Sequence, residues 1–515
     1  MVARHQKFPY YYYMRIIKHP ERIVTFALAF VCFVGCKDEA LVSYTAKPID
    51  YAGIGTISYS RHVQPIFDQS CNSSGCHNAA FGAGGLLLDS WEHVLLGSPE
   101  GAQVVSGNAF MSHMMQHINK DTTLSPISTP SMPLGRDDLP DETVRFIARW
   151  IDEGAKNDGG ALPFASRPSG MILATNQSSD LVAVVDAATN LVMRYVKVGS
   201  QVSGATLGAP HHVRADLQGA YFYVTMIQTQ ELWKFSASDF QFIAKMPVAP
   251  FPADVILTPG GDTAFVTNFS SLPQAAVMID TRTMQVLRTY TVPSALRPFI
   301  SFCHGALLTR DKKYFYTVNQ GSGNLLRIDL ATDAMDIVAL DTAGALTSAT
   351  QPYLADESPD GRYIYVSGYG TNDVRIIDTQ TDPLRASLAI PVGSSSPSRP
   401  LHVHVSPDGQ YLVSANQGSD DVTIIRTSDF SVEANIAGVG RQPHGLQFTP
   451  DGAYLYVTCE NRVEAVPPHH PTTGSQGISF ITVIDFAQRR IVRKIEVGGF
   501  AAGLSFSSNT GTGGL

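Results

Sequence analysis

Charge is scarce in this chain. Of its 515 residues, 16% are Asp, Glu, Lys or Arg, and the net charge is −8. No stripe of Lys and Arg runs through it, so it offers no footing for nucleic acid. Cysteine is scarce too: the six present are scattered and do not make a disulfide framework. No apolar run is long enough to span a bilayer comfortably. No nucleophile motif, phosphate loop or paired-carboxylate spacing stands out. What remains, with 44% apolar residues, is a globular chain long enough for two or more domains.

The N-terminus reads as a targeting segment. Arg4, Lys7, Arg15, Lys18 and Arg22 precede a short apolar run over residues 23–35 that ends in a Gly–Cys pair. That is the pattern of a secretory signal, with an uncleaved membrane anchor as the other reading. Phe33-Val34-Gly35-Cys36 resembles a bacterial lipobox, in which the cysteine is acylated. Lys37-Asp38-Glu39 resembles the signal after the lipidated cysteine in some surface-exported lipoproteins of Gram-negative bacteria. The resemblance implies an exported outer-membrane lipoprotein, on the periplasmic or the outer face. Residues 1–35 would be its signal peptide, Cys36 its lipid attachment site and 36–56 a tether, with acyl chains holding it to the membrane.

Cys71-Asn72-Ser73-Ser74-Gly75-Cys76-His77 carries the clearest chemistry. Covalent haem attachment needs two thiols for two vinyl groups and an adjacent histidine for the iron. The common form has two residues between the thiols; here there are four, and Gly75 would let the longer loop fold back. A Cys71–Cys76 disulfide and a zinc site are the rival readings, although zinc asks for about four ligands.

Around the motif, Tyr59-Ser60-Arg61-His62-Val63-Gln64-Pro65-Ile66-Phe67 leads into Asp68-Gln69-Ser70, and Ser131-Met132-Pro133-Leu134-Gly135 follows. Leu139-Pro140-Asp141-Glu142 opens a helix, and Val144, Ile147, Ala148 and Ile151 recur on one face of it. Residues 57–160 thus resemble the cytochrome c domains fused to other modules in secreted bacterial proteins. The resemblance implies a small all-α domain with one haem c, His77 as proximal ligand and Met132 as distal ligand. Met111, Met114, Met115, His113 and His117 are the other candidates for the distal place, and a Met-rich face packed on haem or core accounts for them as well.

The rest, residues 161–515, is repetitive with a period of roughly 40–60 residues, which points to solenoids or propellers. Turns such as Ser358-Pro359-Asp360-Gly361, Ser406-Pro407-Asp408-Gly409 and Thr449-Pro450-Asp451-Gly452 precede strands such as Phe265-Val266-Thr267-Asn268 and Tyr456-Val457-Thr458-Cys459. Seven copies of that strand occur, the first at Leu173-Ala174-Thr175-Asn176. Four strands per copy close into an all-β, seven-bladed propeller. The first copy lacks a first strand and the C-terminus, from Gly499 to Phe506, has one to spare, so the two should pair. The segment resembles the YVTN-type propellers.

First strands of a propeller meet around its channel. Aligned on their turns, they put Ala502, His211, Ala253, His304, Tyr353, Leu401 and His444 at one level, with His212, Asp254 and His402 one position on and His404 nearby. Convergent imidazoles would suit copper, zinc or iron; histidines that merely bond neighbouring backbone are the plainer account. His469 and His470, in the seventh-blade loop, read as surface residues.

The expectation is therefore electron transfer through a c-type haem, with the propeller as a platform for a redox partner protein or a small-molecule donor or acceptor. One alternative is a redox enzyme with a second metal in the channel, held by His211, His304, His402 and His444. A non-redox surface binding propeller is the other.

Overall fold

The computed structural model describes residues 50–164, 170–203, 207–248, 250–271, 273–461 and 478–508. The signal, residues 36–49 of the tether with Cys36, and the loop with His469 and His470 lie outside the described residues. Among the described residues, no helix is long and apolar enough to cross a membrane.

Residues 51–164 form a helical segment with four short helices: α1 (Gln64–Ser70), α2 (Trp91–Leu96), α3 (His113–Ile118) and α4 (Asp141–Asp152). α4 begins where the sequence signals it. Pro140 caps it, and Asp141 and Glu142 occupy the first turn, where acids meet the positive end of the helix dipole. The face of Val144, Ile147, Ala148 and Ile151 is buried against Phe67, Val94 and Met115. Tyr51 stacks on Phe146 with ring centres 4.5 Å apart.

Seven four-stranded antiparallel sheets follow. The first blade takes its inner strand from the C-terminus: Ala501–Ser507 pairs with Met171–Asn176, with Met171 opposite Ser507 and Leu173 opposite Ser505. The other inner strands are Pro210–Ala215, Pro252–Leu257, Cys303–Leu308, Pro352–Glu357, Pro400–Val405 and Pro443–Phe448 in blades 2 to 7. Each packs beside the inner strand of the next blade, and the ring closes from blade 7 to blade 1. This is a seven-bladed propeller.

The hydroxyl of the repeated Tyr-Val-Thr strand explains its place in the pattern. Thr175 Oγ1 donates to His211 O at 2.8 Å, Thr267 Oγ1 to His304 O at 2.5 Å, Ser367 Oγ to Leu401 O at 2.6 Å and Thr458 Oγ1 to Ala502 O at 2.5 Å. In each case a second strand ties down the inner strand of the next blade. Each buried carbonyl thereby gains the partner it needs, and the inner strands are held at fixed heights around the channel. They lie so close that a Cβ on Gly445 would fall 2.4 Å from Ala502 O.

The helical segment shares a core with the propeller. Ala102 and Val105 are buried with Ile172 and Ala183 of blade 1 and Tyr456 and Ile481 of blade 7. Arg493 of blade 7 donates to Ser98 O at 3.1 Å and to Thr189 O at 3.3 Å. His113 Nε2 lies 3.8 Å from the Glu496 carboxylate, both side chains being largely buried.

Candidate functional site

Two places gather the chemistry-bearing side chains. The first is a cavity of about 310 Å³ inside the helical segment, lined by Cys71, Cys76, His77 and Met132. Its volume falls within the ~300–1,000 Å³ common for small-molecule and cofactor pockets. Its walls are mainly apolar, with Phe67, Leu86, Leu88, Ile118, Leu139 and Ile147 among them, and Arg136 lies on its lining too.

The loop after α1 sets the geometry. Cys71 ends the helix through a bond from its N–H to Phe67 O at 2.7 Å, and His77 N–H returns to Cys71 O at 3.1 Å. The four-residue spacer therefore closes on itself. Gly75 makes this possible: its φ of +84° lies in the left-handed region that side chains other than glycine's disfavour. His77 is held by Leu88 N–H on its carbonyl at 2.8 Å and by its Nδ1, 3.4 Å from Leu86 O. Both thiols are free, so no disulfide forms. Burial, then the neighbouring Cys76, push the Cys71 thiol up to about 12.

Met132 lines the same cavity from a loop pinned to α3. Its N–H donates to His117 O at 2.9 Å, and His117 Nδ1 lies 2.8 Å from Pro130 O. Of the other distal candidates, Met114 and His117 line the same cavity. Met115 is wholly buried in the core. Met111 and His113 line a separate cavity of about 60 Å³ between the helical segment and the propeller.

The second place is the channel. His211, His304, His402 and His444 come together there, and His212 joins them; all five are at most 6% exposed. Ring centres lie 5.1 Å apart for His211 and His304, 5.2 Å for His212 and His402, and 5.3 Å for His402 and His444. Tyr353 lies over His304 at 3.7 Å, and its hydroxyl is 3.3 Å from His444 Nε2. Burial holds His211 and His402 well below the ordinary imidazole range, and His304 falls to about 3 for the same reason; neighbouring imidazoles add to the shift in all three.

Two kinds of support appear around this cluster. His211 Nδ1 and His304 Nδ1 face the carbonyls of Ala253 and Tyr353 at 2.9 and 3.2 Å, as the plainer reading has it. His212 and His444 instead meet buried carboxylates: His212 Nδ1 is 2.8 Å from Asp254 Oδ1, and His444 Nδ1 is 2.7 Å from Glu460 Oε1. Glu460, at the end of a second strand, carried no sequence signal.

Among the described residues, the one group of His, Cys, Asp or Glu side chains with metal-like convergence is His212, His402 and His444, whose ligand atoms lie within 4.8 Å of one another. The trio mixes two positions of the strand alignment. The cause is a bulge in the inner strands: pairing slips between Pro210 and Val213, Pro400 and Val403, and Pro443 and Leu446. A bulge re-aims side chains that strict alternation would send to opposite faces.

The family model described as "Lactonase, 7-bladed beta-propeller" matches residues 305–466, which lie in blades 4 to 7 and are less than half of the chain. A comparison with curated proteins finds no match. Among solved structures, the chain is similar to the periplasmic gluconolactonase PpgL of Pseudomonas aeruginosa, at 16% identity and TM-score 0.51, over 66% of this chain and 99% of that one. It is also similar to a functionally unknown protein of Desulfotomaculum acetoxidans, at 12% identity and TM-score 0.51, over 65% of this chain and 98% of that one. Kuenenia stuttgartiensis hydrazine synthase matches at 20% identity and TM-score 0.48, over 57% of this chain and 90% of that chain. At such identities the likeness is one of fold, and fold does not fix function.

Proposed function

We propose that the protein transfers electrons through one covalently bound c-type haem in the helical segment, with the propeller as the platform for a redox partner or a small-molecule donor or acceptor. The observation that carries this reading is the meeting of two free thiols, an imidazole and a thioether on one apolar cavity. Cys71 and Cys76 would hold the porphyrin as thioethers, and His77 and Met132 would ligate the iron. A haem held there would supply a one-electron carrier, which suits electron transfer.

The chain's own residues do the rest. Leu86 O fixes the His77 ring through Nδ1, and a partner on that nitrogen orients an iron-ligating imidazole. The α3 contacts hold the Met132 loop in place. Arg136 offers charge to a propionate. The shared core of Ala102 and Val105 with blades 1 and 7 fixes the helical segment on the propeller, so a partner docked there meets a set geometry. Export and acylation at Cys36 belong to the same reading, which gives the protein an extracytoplasmic outer-membrane place.

The test is expression in a host with a c-type haem maturation system. One haem per chain that stays on the polypeptide in a denaturing gel, and is lost from the double variant Cys71→Ala/Cys76→Ala, is the expected result. Absence of covalent haem, where a control cytochrome matures normally, overturns the reading.

A further inference from the structure

We propose that the propeller channel holds one transition-metal ion of the zinc or copper type on His212, His402 and His444. This stands apart from the haem reading and survives its failure.

The ligand atoms are available. His212 Nε2 and His402 Nε2 are buried and have no hydrogen-bond partner. A buried nitrogen left unpaired loses its hydration with nothing in return, and two of them beside a third imidazole are a costly arrangement unless something binds there. His444 Nε2 has only the long approach of the Tyr353 hydroxyl, at 3.3 Å. Metal–nitrogen bonds of about 2.0–2.1 Å would place the three nitrogens roughly 3.5 Å apart. They already lie within 4.8 Å of one another, so small ring movements close the site.

The far side of two of the rings is prepared as well. Asp254 and Glu460 sit on Nδ1 of His212 and His444 at 2.8 and 2.7 Å. That contact fixes the tautomer with Nε2 free to ligate and makes the nitrogen a better donor. Asp254 is itself secured by Ala306 N–H at 3.0 Å, and Glu460 by Gln417 Nε2 at 2.8 Å. The strand of His402 is tied by Ser367 Oγ on Leu401 O at 2.6 Å.

Charge favours a cation at this spot. The Asp254 carboxylate is fully buried. The nearest arginine, Arg214, is 3.9 Å from it. A dication held by the three rings supplies countercharge to the Asp254 and Glu460 carboxylates behind them. Three imidazoles are a donor set suited to zinc, copper, nickel or iron, and three protein ligands leave a fourth place open.

A cavity of about 90 Å³ adjoins the site, lined by His212 and His402 together with Arg214, Asp356 and His404. The open coordination place would face either this cavity or the Tyr353 hydroxyl.

The full-length protein is stripped with a chelator, given zinc or copper chloride, desalted and analysed for metal. Haem iron is counted separately from the haem spectrum, so loss of haem and loss of the second ion are distinct results. The expected outcome is one zinc or copper ion per chain, with three imidazole nitrogens in X-ray absorption at that metal's edge. His402→Gln should abolish retention, Glu460→Gln should weaken it about 10–100-fold, and His304→Gln should retain the ion. Retention of neither metal by the wild type overturns the proposal. So does equal retention by His212→Gln/His402→Gln, or loss by His304→Gln as complete as by His402→Gln. Should a variant fail to fold, the wild-type stoichiometry and nitrogen count still decide.

Discussion

Asp254 Oδ1 and His212 Nδ1 meet at 2.8 Å across two blades, both side chains almost wholly buried. The other Asp254 oxygen accepts Ala306 N–H at 3.0 Å. One carboxylate on blade 3 thus ties the inner strands of blades 2, 3 and 4 at the level of the histidine cluster. Removing it leaves His212 Nδ1 and Ala306 N–H without that partner. Asp254→Ala should lower stability by about 3–5 kcal/mol, read as a fall in the urea midpoint. A loss below about 1 kcal/mol would show that the carboxylate is not the tie described.

Met132→Ala tests the distal ligand. Covalent haem should remain, because the thiols are untouched, while the absorption band of thioether-ligated ferric iron disappears. The midpoint potential should fall, since thioether ligation favours reduced iron. A band that persists places the ligand at Met114, the other methionine on the same cavity.

The closing strand should be indispensable. Deletion from Ala501 onward removes the inner strand of blade 1 and exposes the edge Met171–Asn176. An unpaired apolar edge invites aggregation, and the ring loses its seam. Insoluble or protease-labile protein is expected, whereas a variant that melts like the full chain would mean that six complete blades suffice.

Arg493→Ala should loosen the helical segment from the propeller. The bond to Ser98 O across that junction is lost, together with one to Thr189 O of blade 1, each worth about 1.5–3 kcal/mol for a charged donor. Hydrogen exchange should rise around Ser98 and Val105 while blades 3 to 5 stay protected. Uniform loss of protection would instead show one cooperative unit.

Thiol reactivity in haem-free protein offers a pH test. Burial pushes Cys71, Cys303 and Cys459 each up to about 12. The thiolate is the reactive form, and well below that value its fraction rises tenfold with each pH unit. Alkylation of these three in the folded chain should therefore be slow at pH 8 and quicken about tenfold by pH 9. Rates at pH 8 equal to those in urea would contradict the burial.

The sequence by itself determined the repeat. Turn, strand and hydroxyl recur because every blade solves the same packing problem, and a period that repeats seven times is visible without coordinates. The pairing of the C-terminal strand with blade 1 was legible for the same reason, as was α4, whose apolar spacing and acidic first turn are local signals. His211, His304 and His444 were legible as a level of the ring, with His402 one position on.

Tertiary structure decided which of the histidines share a centre. Inner-strand bulges shift the register by one, so His212 and His402 meet His444 although alignment separates them. Glu460 reaches His444 from another strand, a relation that no spacing encodes. Likewise, Cys71 and Met132 line one cavity because α1, α3 and the loop after Pro130 pack together. Local patterns specify strands and helices through nearest neighbours along the chain. Which side chains meet in a channel or a cavity depends on register, twist and closure, and these are set by the fold as a whole.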